Sequence, residues 1–343
     1  MCKRGVLLLV VILQFFVYSC QKEKVYYVEK GSVFHTYYAI KYQSDKILTD
    51  SIDAELQKFS LSLNPFHPNS IITKVNENKP VELDDWFVKV FNKAHEVSEK
   101  SGGAFDITCA PLINLWGFGF SNMDSVSQHM IDSLKTFVGY TKIRIENGKI
   151  VKDDPRLILN TSAIAKGFSC DIIADMLERQ GVENYMVDIG GEIVVKGVNQ
   201  NGNCWSVGID RPDDDATGAA INVEEIVRLC KKGGVATSGN YRNYYIKDGK
   251  KYAHTIDPNT GYPAERSILS ATVVADDCMT ADAYATALMV LSVEHAAELA
   301  KKVPEIDYFL IYADEDGKHR FSYSEGMLKY LPNRKELAIL ENP

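Results

Sequence analysis

The segment Thr280-Ala-Asp282-Ala-Tyr-Ala-Thr286 sets a carboxylate and a hydroxyl four residues apart. On a helix that spacing projects both from one face. Two hard oxygen donors joined by a main-chain carbonyl suit Mg²⁺, which keeps several waters and takes phosphate oxygens as its remaining ligands. The competing reading is local: Thr280 caps the helix and Asp282 lies in its first turn, where the helix dipole favours a carboxylate.

A second stretch, His254-Thr-Ile256-Asp257-Pro-Asn-Thr-Gly261, ends a strand-like run in a turn built by Pro and Gly. A histidine there accepts or shuttles a proton near neutral pH, or is a satisfied structural residue; Asp257 could equally bond the backbone of its own turn. Gly102-Gly103-Ala104-Phe105-Asp106 and the following Trp116-Gly-Phe118 put aromatic rings and a carboxylate beside glycines. Such a surface accommodates a flat heterocycle, although buried core is the default for Phe and Trp. Asn160-Thr-Ser-Ala163-Ile-Ala-Lys166-Gly167 joins a strand to a helix, whose free N–H groups attract anions; Lys166 adds positive charge there, or is simply solvated, as an isolated lysine near a helix start usually is. The phosphate-loop pattern Gly-x₄-Gly-Lys-Ser/Thr is absent.

Elements that position these residues follow from periodicity. Residues 25–43 read as two strands rich in Tyr and Val, and Asp45 opens a helical pattern with Ile47, Leu48, Ile52, Leu56, Phe59 and Leu63 on one face. Further helices are expected at about 84–101, 126–137, 163–180, 279–291 and 294–303, and strands at 157–160, 184–189, 192–198, 205–210, 268–276 and 306–313. Asn147-Gly148 and Asp248-Gly249 read as hairpin turns. Gly190-Gly191 falls between two strands and does not open a helix, so a dinucleotide-binding βαβ unit is not supported. The class is α+β, in one compact catalytic unit.

Composition agrees: 45% apolar and 24% charged residues exclude a disordered or coiled-coil chain of 343 residues. A net charge of −8 excludes a general nucleic-acid binder. The seven cysteines show no CxxC spacing and are too sparse for a disulfide scaffold; most read as small buried hydrophobes.

Lys3 and Arg4 precede an apolar run from Val6 to Tyr18, followed at once by polar residues, which is the pattern of an export signal. The run is shorter than the roughly 20 residues of a membrane span. Val17-Tyr-Ser-Cys20 resembles the lipobox of bacterial lipoproteins, with a plain secretory signal as the alternative. The expected organisation is a signal at 1–19, a lipidated tether at 20–25 beginning at an acylated Cys20, and a catalytic domain at 26–343.

In this order the motifs resemble the ApbE family, the FAD:protein FMN transferases, over about residues 33 to 330. The resemblance implies an α+β fold of mixed and antiparallel sheets with packed helices, related to the T-fold. It implies flavin-nucleotide contacts at Ala104, Phe105, Asp106, Asn160, Lys166, His254 and Ile256, with Mg²⁺ held by the Ala163 carbonyl, Asp282 and Thr286. Three positions depart from the family pattern: Phe34-His35-Thr36 replaces Met-Gly-Thr, Phe66 stands where a tyrosine covers the flavin, and Asn160 replaces an aspartate.

The implied reaction is attack by a client Thr or Ser hydroxyl on the FMN-side phosphorus of FAD, with AMP departing. His254 would take the proton, with a metal-bound water or Asp257 as the alternatives. FAD hydrolysis to FMN and AMP, and non-catalytic FAD binding by an envelope lipoprotein, are the other readings. The implied client is a flavoprotein subunit of a membrane electron-transfer complex of the Rnf or sodium-translocating NADH:quinone reductase kind. The implied location is the periplasmic face of the inner membrane, through the lipid anchor.

Overall fold

The structure, a computed structural model, describes residues 24–118, 126–212, 223–240, 244–247, 250–253, 255–264, 267–332 and 334. The expected signal, Cys20 and His254 lie outside the described residues.

Alternating Tyr, Val and polar residues form the hairpin β1 (Val25–Val33) and β2 (Thr36–Ser44), so the first strand begins within the expected tether. Helix α1 (Thr49–Leu63) starts four residues after Asp45. Leu48, Ile52, Leu56, Phe59 and Leu63 are buried as their spacing requires, but Ile47 precedes the helix and is 65% exposed. A short helix α2 (Ile71–Asn76), capped by Ser70, and helix α3 (Asp85–Lys100), capped by Asp84, follow. Helices α4 (Ala110–Leu115) and α5 (Gln128–Lys135) lead to the expected Asn147-Gly148 hairpin of β3 (Ile143–Glu146) and β4 (Lys149–Lys152).

Residues 157–160 are not a strand. The Asn76 side chain brackets Leu159 instead: its Oδ1 accepts from the Leu159 N–H at 2.8 Å and its Nδ2 donates to the Leu159 carbonyl at 2.9 Å. One amide thereby satisfies the backbone that a ladder would have paired.

Helix α6 (Ala165–Arg179) is followed by β5 (Tyr185–Ile189) and β6 (Glu192–Lys196), joined through Gly190 and Gly191 with φ of 67° and 97°. Strands β7 (Trp205–Asp210) and β8 (Val223–Leu229) pair with each other, and β9 (Gly233–Gly239) enters the main sheet. The pair β10 (Tyr244–Lys247) and β11 (Lys250–Ala253) flanks Asp248-Gly249 as expected. The chain continues through β12 (Ile268–Ala275), helices α7 (Cys278–Val290) and α8 (Val293–Lys302), β13 (Ile306–Ala313) and β14 (His319–Tyr323).

Eight strands make one sheet in the order β1-β2-β5-β6-β9-β12-β13-β14, every neighbouring pair antiparallel. The expected α+β class is borne out. One face carries α3, α6, α7 and α8 around a core that includes Phe87, Phe168, Val273 and Leu288. The other is covered by the β7–β8 pair, through Trp205, Val207 and Val227 against Val195, Val235 and Phe309.

Helix α7 is the axis of this arrangement, since every one of its residues except Thr286 is buried. Burial of Leu288 and Met289 alone contributes about 1.5–3 kcal/mol each. Its N-terminus is wedged between α6 and β9, where a Cβ at Gly167 would run into the Cys278 carbonyl and one at Gly234 into the Cys278 N–H. Sequence periodicity misses β9 because its glycines read as loop; they are there to admit the helix.

Two cysteines differ from expectation: Cys204 and Cys230 form a disulfide that ties the start of β7 to the end of β8. Cys109, Cys170 and Cys278 are free and buried, as their apolar surroundings suggest.

Candidate active site

The cap of α7 is Asp277, not Thr280. Its carboxylate accepts from the Thr280 N–H at 2.8 Å and from the Thr280 hydroxyl at 3.0 Å. Asp282 therefore lies beyond the first turn, and its burial, at 2% exposure, is not what dipole stabilisation of a surface carboxylate would give. Its Oδ2 accepts from the Gly167 N–H at 3.0 Å, so the first turn of α6 does bind an anion, and that anion is a side chain of the protein.

Lys166, one residue earlier, forms an ion pair with Glu192 and holds its Nζ 4.0 Å from Asp282 Oδ1. Its side chain is a third exposed, whereas both carboxylates are buried. Burial works against the Lys166 ammonium, but Asp282 and Glu192 outweigh it and hold its pKa above the ordinary lysine value. Burial pushes the Asp282 carboxyl up, against the ammonium and the Gly167 amide that pull it down. One ammonium thus faces two desolvated carboxylates, and Glu192 Oε2 has no hydrogen-bond partner. Burial, with Asp282 nearby, pushes the Glu192 carboxyl up to about 7 against the Lys166 ammonium, so a further positive charge in this corner would favour the ionised form of both carboxylates.

Glu192 is absent from the sequence-derived set. Its signal is an acidic residue just after Gly190-Gly191, heading the apolar run Ile193-Val194-Val195, where a buried carboxylate is out of place.

Thr286, the one partly exposed residue of α7, lies 3.3 Å from the Ser238 hydroxyl of β9. Two residues along, Asn240 accepts from the Thr255 hydroxyl at 2.7 Å, which leads into the Ile256–Gly261 turn. In that turn Asp257 Oδ1 accepts from the Asn259 N–H at 2.9 Å, the local bond expected as the alternative to chemistry, and Asp257 is buried. The turn is pinned from outside as well: Trp116 Nε1 donates to the Gly261 carbonyl at 2.7 Å and Lys135 Nζ to the Asn259 carbonyl at 2.6 Å. Ile256 is buried and bridges Pro263.

Ala104 and Phe105 are buried in the core. Asp106 holds its own loop, accepting from the Thr108 N–H and hydroxyl at 2.7 Å each and from the Tyr140 N–H at 2.8 Å; burial pushes its carboxyl up against those bonds. Asn160 joins this loop by donating its N–H to the Ile107 carbonyl at 2.7 Å, and its Oδ1 accepts from Ser162. Ala163 is partly buried against the main core.

Phe34 and His35 form the β1–β2 turn with φ of 51° and 62°, a left-handed pair that bulky residues rarely adopt. Ring contacts hold it: Phe34 lies 4.8 Å from Phe59, and His35 meets Phe66 edge-on at 4.6 Å. The structure thus brings Phe34 and Phe66, far apart in sequence, to one hairpin tip, with Phe66 47% exposed.

Among the described residues no group of three His, Cys, Asp or Glu side chains gathers as a metal centre. Fit to a divalent ion rests instead on hard oxygens, the Asp282 carboxylate and the Thr286 hydroxyl four residues apart on α7. That donor set fits Mg²⁺.

The ApbE family matches residues 34–310. The chain is 34% identical over 317 residues to the FAD:protein FMN transferase of Vibrio cholerae serotype O1, covering 89% of this chain and 93% of that protein. It is also 34% identical over 313 residues to the FAD:protein FMN transferase of Haemophilus influenzae, covering 86% and 89%. Among solved structures, the flavin transferase ApbE from Vibrio cholerae superposes with a TM-score of 0.80 at 33% identity, over 90% of this chain and all of that one. The apo flavinyl transferase ApbE of Pseudomonas stutzeri gives 0.79 at 28% identity, over 90% and 97%. With sequence and fold matched over most of its length, the chain belongs to the ApbE family.

Proposed function

We propose that the chain is an FAD:protein FMN transferase, moving FMN from FAD to a Thr or Ser hydroxyl of a client flavoprotein and releasing AMP. The observation that carries this reading is the Lys166–Glu192–Asp282 corner. In an acidic protein, a protonated lysine held between buried carboxylates beside a helix N-terminus is suited to receive a diphosphate together with a divalent cation.

Asp282, Thr286 and the Ala163 carbonyl would hold Mg²⁺. The ion supplies Lewis-acid stabilisation of charge developing on phosphoryl oxygens. Lys166 binds the diphosphate by charge, and the Phe34–His35–Phe66 tip offers aromatic surface for the isoalloxazine. His254 takes the proton of the incoming hydroxyl; Asp257 is the weaker candidate because its Oδ1 is committed to Asn259. Ala104, Phe105, Asp106, Asn160 and Ile256 shape the remaining nucleotide site.

Export and acylation at Cys20 put the enzyme on the periplasmic face of the inner membrane. The Cys204–Cys230 disulfide supports an oxidising compartment. A tether there raises its local concentration near client subunits of membrane electron-transfer complexes of the Rnf or sodium-translocating NADH:quinone reductase kind.

Incubating residues 21–343 with FAD, Mg²⁺ and a Thr-containing client peptide, followed by mass spectrometry, tests the reading. AMP with an FMN adduct on the peptide is expected. AMP with free FMN alone would make the protein a hydrolase, and intact FAD would make it a carrier.

A further inference from the structure

We propose that Glu192 is the positioning residue of Lys166, fixing the ammonium beside Asp282 so that it meets the diphosphate of FAD while leaving Asp282 free for a cation. This inference rests on the flavin-transferase reading and assigns a role to a residue outside the motifs that suggested it.

The fold secures Glu192 from several directions. It closes the β5–β6 hairpin opposite Ile189, directly after the Gly190-Gly191 turn. The Cys170 thiol of α6 donates to its carbonyl at 3.1 Å. Its side chain, 7% exposed, pairs with Lys166 through Oε1, and Oε2 is buried without a partner. A desolvated carboxylate with half its acceptor capacity unused is a poor stabilising device, since an apolar residue of similar volume would be cheaper to bury. What the carboxylate does is set the location of a cation.

The geometry defines what its absence would cause. Lys166 Nζ lies between two carboxylates, in direct contact with Glu192 and 4.0 Å from Asp282 Oδ1. Remove the Glu192 charge and Asp282 becomes the sole carboxylate of this corner. The ammonium is then drawn onto the oxygen that the cation needs and away from the position where it meets the diphosphate.

The decisive experiment is FAD binding by flavin fluorescence, first in EDTA and then across a Mg²⁺ titration, on the native protein, Glu192→Gln, Glu192→Asp, Lys166→Met and the double variant Glu192→Gln/Lys166→Met. Glu192→Gln keeps the shape and loses the charge. It should weaken metal-free FAD binding about tenfold, the loss of one well-placed charged contact. It should also raise the Mg²⁺ concentration for half-maximal binding.

On the Lys166→Met background the same substitution should add less than about twofold, because a residue that acts through Lys166 has nothing left to act on. Glu192→Asp should fall between native and Glu192→Gln, and it carries the test if Glu192→Gln does not fold. Native-like FAD binding and Mg²⁺ dependence in a folded Glu192 variant would overturn the proposal. So would an equal loss from Glu192→Gln with and without Lys166. A native protein that binds no FAD would instead overturn the flavin-transferase reading on which it stands.

Discussion

The Gly167 N–H donates to Asp282 Oδ2 at 3.0 Å, so a carboxylate from one buried helix occupies the first turn of another. The contact depends on the absence of a side chain at Gly167, where a Cβ would meet the Cys278 carbonyl and the Asp282 Cβ. Gly167→Ala should therefore part the two helices, costing about 1–3 kcal/mol in chemical denaturation and most of the activity.

Asp282→Asn keeps an acceptor for the Gly167 amide and removes the charge. Turnover should drop by about 10²–10³, the scale of losing a main electrostatic element at a transition state. Thermal denaturation should stay close to native, because Lys166 retains Glu192 as its partner. Native-like turnover would remove Asp282 from the metal set.

Asp171, one turn further along α6, supports the same helix, its two oxygens accepting from the Cys278 and Met279 N–H groups at 2.8 Å each. Burial, with the Asp277 carboxylate nearby, pushes its pKa up to about 7 despite those amides. A group whose folded pKa lies above its unfolded value contributes stability that is fully present below about pH 4 and lost as pH rises to about 7. Urea unfolding of Asp171→Asn and native protein, compared at pH 5 and pH 8, should show a steeper decline with pH in the native protein. The difference should be on the order of 2–3 kcal/mol.

The Cys204–Cys230 bridge closes a segment with a sequence separation of 26. Loop-closure entropy assigns it roughly 3.5 kcal/mol. Cys204→Ala/Cys230→Ala should lower the urea midpoint accordingly while leaving FAD binding intact, since the bridge ties β7 and β8 on the sheet face opposite the α6–α7 corner.

At the β1–β2 tip, His35→Gly relieves a left-handed residue and removes the ring that meets Phe66. Stability should be unchanged or about 1 kcal/mol higher. KM for FAD should rise, because Phe66 loses its support. An unchanged KM would detach this tip from the flavin site.

Much of this site was legible because its motifs are contiguous: Asp282 and Thr286 share one turn of a helix, and Asp257 signals its turn through Pro258 and Gly261. Glu192 was not legible, because its importance lies in a contact with Lys166 across 26 residues and between a hairpin and a helix. The expected strand at 157–160 failed for a related reason: Leu157 and Leu159 are buried as a strand pattern implies, yet the backbone partner is the side chain of Asn76. Local periodicity identified apolar faces, but not which distant polar group would complete each backbone or charge.

The most direct test is a crystal structure of the protein with FAD and Mg²⁺. The account predicts the diphosphate against Lys166, with the ion on Asp282, Thr286 and the Ala163 carbonyl. Flavin bound elsewhere, or an ordered dinucleotide with this corner empty, would contradict it.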